Sequence, residues 1–221
     1  MTSTAPSLAS NSSDLELSAD RLDMLAETFN MALGEATAMF ADLMGEEIEM
    51  SVPTVELIDK QELIRLLRTI AADEANSNLC GVRQDFDAPS LLQTRATVVF
   101  AERGALEIVR HMLGDVTAIE QITELEQDAL SEIGNIIING CMSSLFNLFK
   151  RELSGSLPTV VRAKPHELFD AQDMAEQVLV ARIRMSLSSK DVQGYVILTM
   201  NVGSISNFIR EVEGVFGLEQ A

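Results

Sequence analysis

Basic side chains are scarce in this chain. Only 16 Lys and Arg stand against 34 Asp and Glu in 221 residues, a formal net charge of −18. Binding nucleic acid requires a basic face that displaces counterions from phosphates, so neither DNA nor RNA is expected as a partner. Anionic membrane surfaces are disfavoured for the same reason. The charge balance favours a partner that offers a local basic site. Cysteine and histidine are few as well. Cys80 and Cys141 sit in unlike settings and give neither a disulfide framework nor a zinc spacing. Cys141, in a helical run beside small residues, reads as a buried thiol. His111 and His166 cluster neither with the cysteines nor with each other, so no metal of the chain's own is expected. No apolar run reaches the ~18 residues of a membrane span. The segment Met1–Asp14 is rich in Ser, Thr and Ala, with no basic start and no apolar core, so it is not expected to be a secretory signal. Residues 1–17 are expected to form a disordered tail, and the cytoplasm is the expected address.

What remains is a chain with 47% hydrophobic residues, enough for one compact domain or two small fused halves. Residues 18–50 have a helical pattern. Leu22, Leu25, Phe29, Ala32, Leu33, Ala36, Phe40 and Leu43 fall at three- and four-residue steps with acids between them. Ser18 is placed to cap the helix, Gly45 marks its end, and Pro53 cannot continue it. Ser51–Ile58 reads as a strand, Lys60–Asp73 as a helix, Leu79–Phe86 and Leu92–Phe100 as a strand pair, and Gly104–Leu113 as a helix. The same order then returns. Glu124–Arg151 is helical and Leu157–Val161 a strand. Gln177–Leu187 and Gly194–Met200 are a strand pair joined near Ser188–Asp191, and Gly203–Val215 is a closing helix.

The repetition extends to individual residues. Asp23, Glu27, Asn30 and Pro53 are matched by Asp128, Glu132, Asn135 and Pro158, each pair 105 positions apart. Each copy reads Asp-x3-Glu-x2-Asn, then twenty-two residues, then Pro. With each residue type at roughly one in twenty, such a pattern arises by accident about once in 10^5 starts. Two copies in one register are not an accident. The same offset pairs Leu25 with Leu130, Ser51 with Ser156, Thr54 with Thr159, and Glu62 with Glu167. Farther on it falls to 99, as Gly104 and Gly203 show, so the second half has lost about two turns, most simply from the helix after Pro165. The expected fold is α+β: a pseudo-twofold duplicated domain with a central six-stranded sheet flanked by long helices. Its halves are residues 18–115 and 116–221, forming one compact domain.

On an ideal helix, positions i, i+4 and i+7 lie within about 60° of one another. Asp23, Glu27 and Asn30 therefore form one polar stripe, and Asp128, Glu132 and Asn135 a second. Charges at helical spacing usually mean nothing more than a solvated face. Here the stripe is identical in both copies while core positions differ: Phe29 matches Gly134, Met44 matches Phe149, and Glu35 matches Gly140. An unchanged surface over a changed core points to function.

This duplicated pattern resembles the CheC family of chemotaxis phosphatases, with its CheX and FliY relatives. The resemblance covers roughly residues 15–218, and all four motif positions are intact in both copies. It implies hydrolysis of the aspartyl phosphate on a CheY-like response regulator, as one step of two-component signalling in chemotaxis. It further implies that Asn30 and Asn135 enter the regulator's site and orient the attacking water. Glu27 and Glu132 would contact the regulator's active-site lysine, and Asp23 and Asp128 would anchor the interface. Pro53 and Pro158 would shape the turn into the strand. Magnesium would belong to the regulator, with no cofactor held by the chain itself. A CheD-like receptor deamidase is a further partner that the resemblance implies. The competing expectations are a non-catalytic module that binds phosphorylated regulator and a CheD-binding scaffold, both within the flagellar and chemotaxis system.

Overall fold

The computed structural model describes residues 17–71, 78–89, 91–114, 124–169, 177–187, 192–200 and 202–217. Three sequence expectations lie wholly or mostly outside these residues: the N-terminal tail, the end of the helix expected to reach Asp73, and the junction at Ser188–Asp191. In chain order the elements are α1 (Ala19–Met44), β1 (Ile48–Met50), β2 (Thr54–Asp59), α2 (Lys60–Ile70), β3 (Leu79–Ala88), β4 (Leu92–Ala101) and α3 (Glu102–Leu113). They continue with α4 (Glu124–Phe149), β5 (Ser154–Gly155), β6 (Thr159–Ala163), β7 (Gln177–Leu187), β8 (Gln193–Met200) and α5 (Val202–Val215).

All eight strands join one antiparallel sheet. It is six strands wide: β7, β8, β4 and β3 fill the middle, β1 and β2 share the edge beside β7, and β5 and β6 share the edge beside β3. The strands of the two halves are thus interlaced. Edge strand β2, from the first half, pairs with β7 of the second, and β6 pairs with β3 of the first. The register repeats as well. Thr54 faces Arg182 and Thr159 faces Arg83, so the offset of 105 at the edges becomes 99 in the hairpins.

The strands alternate by period two. Cys80, Val82, Phe86, Val98, Phe100, Ala181, Ile183, Val196 and Leu198 point to the main core, where α1, α3, α4 and α5 cover the sheet. On the other face a smaller core gathers Leu63, Leu67 and Ile70 of α2 with Ile58, Val99, Val180, Ile197, Leu168 and Phe169. In the second half, residues 165–167 form turns where the first half begins α2. That contrast locates the start of the shortened connection.

Helices α1 and α4, 26 residues each, pack against one another. Their backbones come close at Ala36 and Gly140, where a methyl group on the glycine would stand 2.9 Å from the Ala36 Cα. Arg21, at the start of α1, pairs with Glu213 at 3.0 Å, and Arg151, just past the end of α4, pairs with Glu211 at 2.8 Å. Both acids lie two residues apart on α5, so the start of α1 lies beside the end of α4 and the two helices run antiparallel. A chain of rings reinforces this junction: Phe208 of α5 lies 5.7 Å from Phe29 and 5.5 Å from Phe149. At the opposite end the His111 imidazole of α3 meets the Met44 carbonyl at 3.2 Å.

Both cysteines are free and fully buried. Burial pushes each thiol up to about 12. The thiolate is the reactive form, so neither is expected to react with a disulfide reagent in the native protein within minutes, while both should react in denaturant. Fast labelling of either under native conditions would contradict this packing.

Candidate functional site

Helix α1 is fixed at both ends by local chemistry. Ser18 accepts a hydrogen bond on Oγ from the Arg21 amide at 3.4 Å, as its position in the sequence predicts. Gly45 adopts φ 67°, a left-handed conformation that glycine takes without strain, and its N–H donates to the Ala41 carbonyl at 2.8 Å. Between these caps Leu25, Phe29, Ala32, Leu33, Ala36 and Phe40 bury one face. Asp23, Glu27 and Asn30 stand exposed on another. None of these three side chains makes a hydrogen bond or ion pair with the described residues.

Helix α4 presents the second stripe in a tighter setting. Asp128 and Glu132 are exposed, but Asn135 is partly buried. Gly134 beside it lets the helix approach β3: a Cβ there would stand 2.4 Å from the Val82 Cβ. One turn beyond, the Asn139 carboxamide donates from Nδ2 to Oδ1 of Asn135 at 2.7 Å. On α1 the corresponding position is Gly34, exposed and with no side chain to offer. Because the helices run antiparallel, the stripes lie toward opposite ends of the α1–α4 pair. The structure brings together the three residues of each stripe and keeps the two stripes apart.

Pro53 and Pro158 lie at the breaks between β1 and β2 and between β5 and β6. The first edge was expected as one strand from Ser51 to Ile58. That strand starts only at Thr54, past Pro53, because proline has no N–H for the ladder, and Ile48–Met50, in the segment read as helical, forms a separate short strand before it. A serine two residues earlier compensates in both copies. The Ser51 amide donates to the Arg184 carbonyl at 2.8 Å, and its Oγ accepts from the Arg184 amide at 3.0 Å. Ser156 makes the same two bonds with Asp85, at 2.8 and 3.0 Å. The sequence identity of Ser51 and Ser156 was visible at the offset of 105, but their task was not.

An open groove of about 520 Å³ lies elsewhere, lined by Asp85, Asp87, Arg95, Ser154, Ser156 and Thr199 among others, and by no stripe residue. Arg95 bonds to Asp85 at 2.6 Å and holds its carboxylate below the usual range. Among the described residues, no group of three His, Cys, Asp or Glu side chains could hold a metal ion, and no helix is long and apolar enough to cross a membrane.

No family model matches the chain. Solved structures of the same fold do exist. FliY from Thermotoga maritima superposes with a TM-score of 0.69 at 17% identity, over 93% of this chain and 100% of that one. The FliM middle domain from H. pylori gives 0.60 at 12% identity, over 88% and 99%. The fold is therefore the one that FliY and the FliM middle domain share. Among curated proteins, the CheY-P phosphatase CheC of Bacillus subtilis (strain 168) is 26% identical over 144 residues. That match spans 64% of this chain and 66% of the relative, just under two thirds of its length. With its two complete motifs, the chain is similar in sequence to this CheC and in fold to FliY.

Proposed function

We propose that the chain is a phosphatase acting on the aspartyl phosphate of a CheY-like response regulator, with which it would share the cytoplasm. One observation carries this reading: the helical Glu-x2-Asn pairs Glu27–Asn30 and Glu132–Asn135 stand on rigid, docked helices, and all but the partly buried Asn135 are exposed. The likeness to a CheY-P phosphatase supports it.

The chemistry suits such a surface. An acyl phosphate is already activated, and magnesium and cations on the regulator would stabilise the transferring group. The missing part is a water held in line. A neutral carboxamide donates and accepts hydrogen bonds at once, so Asn30 or Asn135 would hold water without repelling phosphate. Positioning of this kind lowers the barrier through entropy, and a 10²-fold gain needs only about 2.7 kcal/mol. Glu27 and Glu132, three residues before each asparagine, would pair with the regulator's lysine and set the helix in register. Asp23 and Asp128 would extend the contact. No enclosed pocket is required on this chain, because the pocket and the metal would belong to the partner.

A second reading is a module that binds phosphorylated regulator without catalysis; the same fold is present in the FliM middle domain. A decay time course of the phosphorylated cognate regulator, with and without the chain, separates the two. Accelerated decay at substoichiometric chain is expected. Binding without acceleration would overturn the phosphatase reading.

The glutamates give an independent check. Glu27→Gln combined with Glu132→Gln is expected to weaken association with the regulator and flatten its salt dependence, since an ion pair is screened by salt. Titrations at low and high ionic strength measure this. An unchanged salt slope would remove the lysine contact from the account.

A further inference from the structure

The two stripes are alike in sequence at the motif positions and unlike one turn beyond. We propose that Asn139 is a positioning residue for Asn135, and that the α4 stripe is the faster of two unequal hydrolytic sites. This rests on the phosphatase reading above and deepens it.

The carboxamide of a lone surface asparagine rotates, and it presents either its oxygen or its NH2 group to a partner. Asn30 is in that situation: it is exposed, the position one turn on is Gly34, and it makes no side-chain hydrogen bond among the described residues. Asn135 is not. It is partly buried, and the Asn139 Nδ2 group donates to its Oδ1 at 2.7 Å. The bond fixes which end of the carboxamide faces which way. It occupies one lone pair of the oxygen, leaving the second to accept from a water and leaving both N–H donors of Asn135 for a phosphate oxygen. A group already held in its working orientation loses less freedom when the complex forms. Asn139 would touch neither water nor phosphate; it acts through Asn135.

The chain offers a gain-of-function test as well as a loss. At Gly34 a Cβ would meet nothing within 4 Å, and the backbone does not require glycine there. An asparagine therefore fits on α1 at the position equivalent to Asn139.

The experiment measures kcat and KM for regulator-phosphate decay in two backgrounds. With Asn30→Ala, only the α4 stripe works. Adding Asn139→Ala is expected to lower kcat roughly tenfold, with KM nearly unchanged. Asn139→Asp should be worse still. A carboxylate accepts but cannot donate, so it would turn the Asn135 carboxamide around. With Asn135→Ala, only the α1 stripe works, and Gly34→Asn should raise kcat severalfold while Gly34→Ala, the control for helix propensity, should not. An Asn139→Ala variant with undiminished kcat, or an Asn139→Asp variant that behaves like the parent, would overturn the positioning role. Wild-type protein that fails to accelerate decay would instead overturn the phosphatase reading, and this inference with it.

Discussion

Replacing Asn30 and Asn135 together by alanine is expected to slow regulator-phosphate hydrolysis by at least about 10²-fold, the loss of roughly 2.7 kcal/mol of barrier lowering. The size follows from the chemistry. With no other side chain proposed to hold the water, removing both carboxamides leaves only docking, and binding without positioning does not raise kcat. Folding should not confuse the result. Asn30 is exposed and Asn135 only partly buried, and alanine is the better helix former. The thermal midpoint of the double variant should therefore match or exceed that of the parent. The single variants should not be equivalent: Asn135→Ala should cost more, because its carboxamide is already oriented by Asn139. A double variant that keeps the parental rate would show that neither asparagine positions the water.

A large effect on stability is expected at Gly134. A methyl group there would stand 2.4 Å from Cβ and 2.5 Å from Cγ1 of Val82, a β3 residue that is itself fully buried. These are not the far ends of a flexible side chain, so relief requires moving the helix or the strand. Overpacking of this kind costs about 1–3 kcal/mol, and Gly134→Val should lie at or above the upper end. For a chain of this size that corresponds to a midpoint lower by very roughly 6–12 °C. Gly134 precedes Asn135, so any displacement of α4 also misplaces the carboxamide, and hydrolysis from the α4 stripe should fall more than stability does. Thermal denaturation beside kinetics in the Asn30→Ala background measures both. A Gly134→Val protein with an unshifted midpoint would mean that α4 does not rest on β3 as described.

How much of this was legible in the sequence depended on whether a residue repeated. The helices, the hairpins and both stripes came from periodicity and the offset of 105, because burial on one face imposes period 3.6 or 2 whatever the neighbours are. Ser18 and Gly45 were readable because capping is local chemistry. The divided edges were not. Ile48–Met50 looks like the end of a helix until the Gly45 cap is formed, and Ser154–Gly155 is too short to carry a period. The pairing of β2 with β7 was hidden as well, since no local pattern states which hairpin a strand will join. Asn139 escaped for the opposite reason. It sits at the i+4 step from Asn135, yet its counterpart is Gly34, so a search for identity between halves passes over it.

The exchange of edge strands has a consequence for ancestry. Each half closes its sheet only with a strand from the other, β2 on β7 and β6 on β3. A gene encoding one half would yield a protein with two open sheet edges, obliged to associate with a second copy that lends the missing strand. Fusion of two such genes would turn that obligate association into a single chain without rebuilding any ladder. The shared strands then bind the halves to a common fate in folding but not in chemistry. Either stripe could change by drift while the architecture stands.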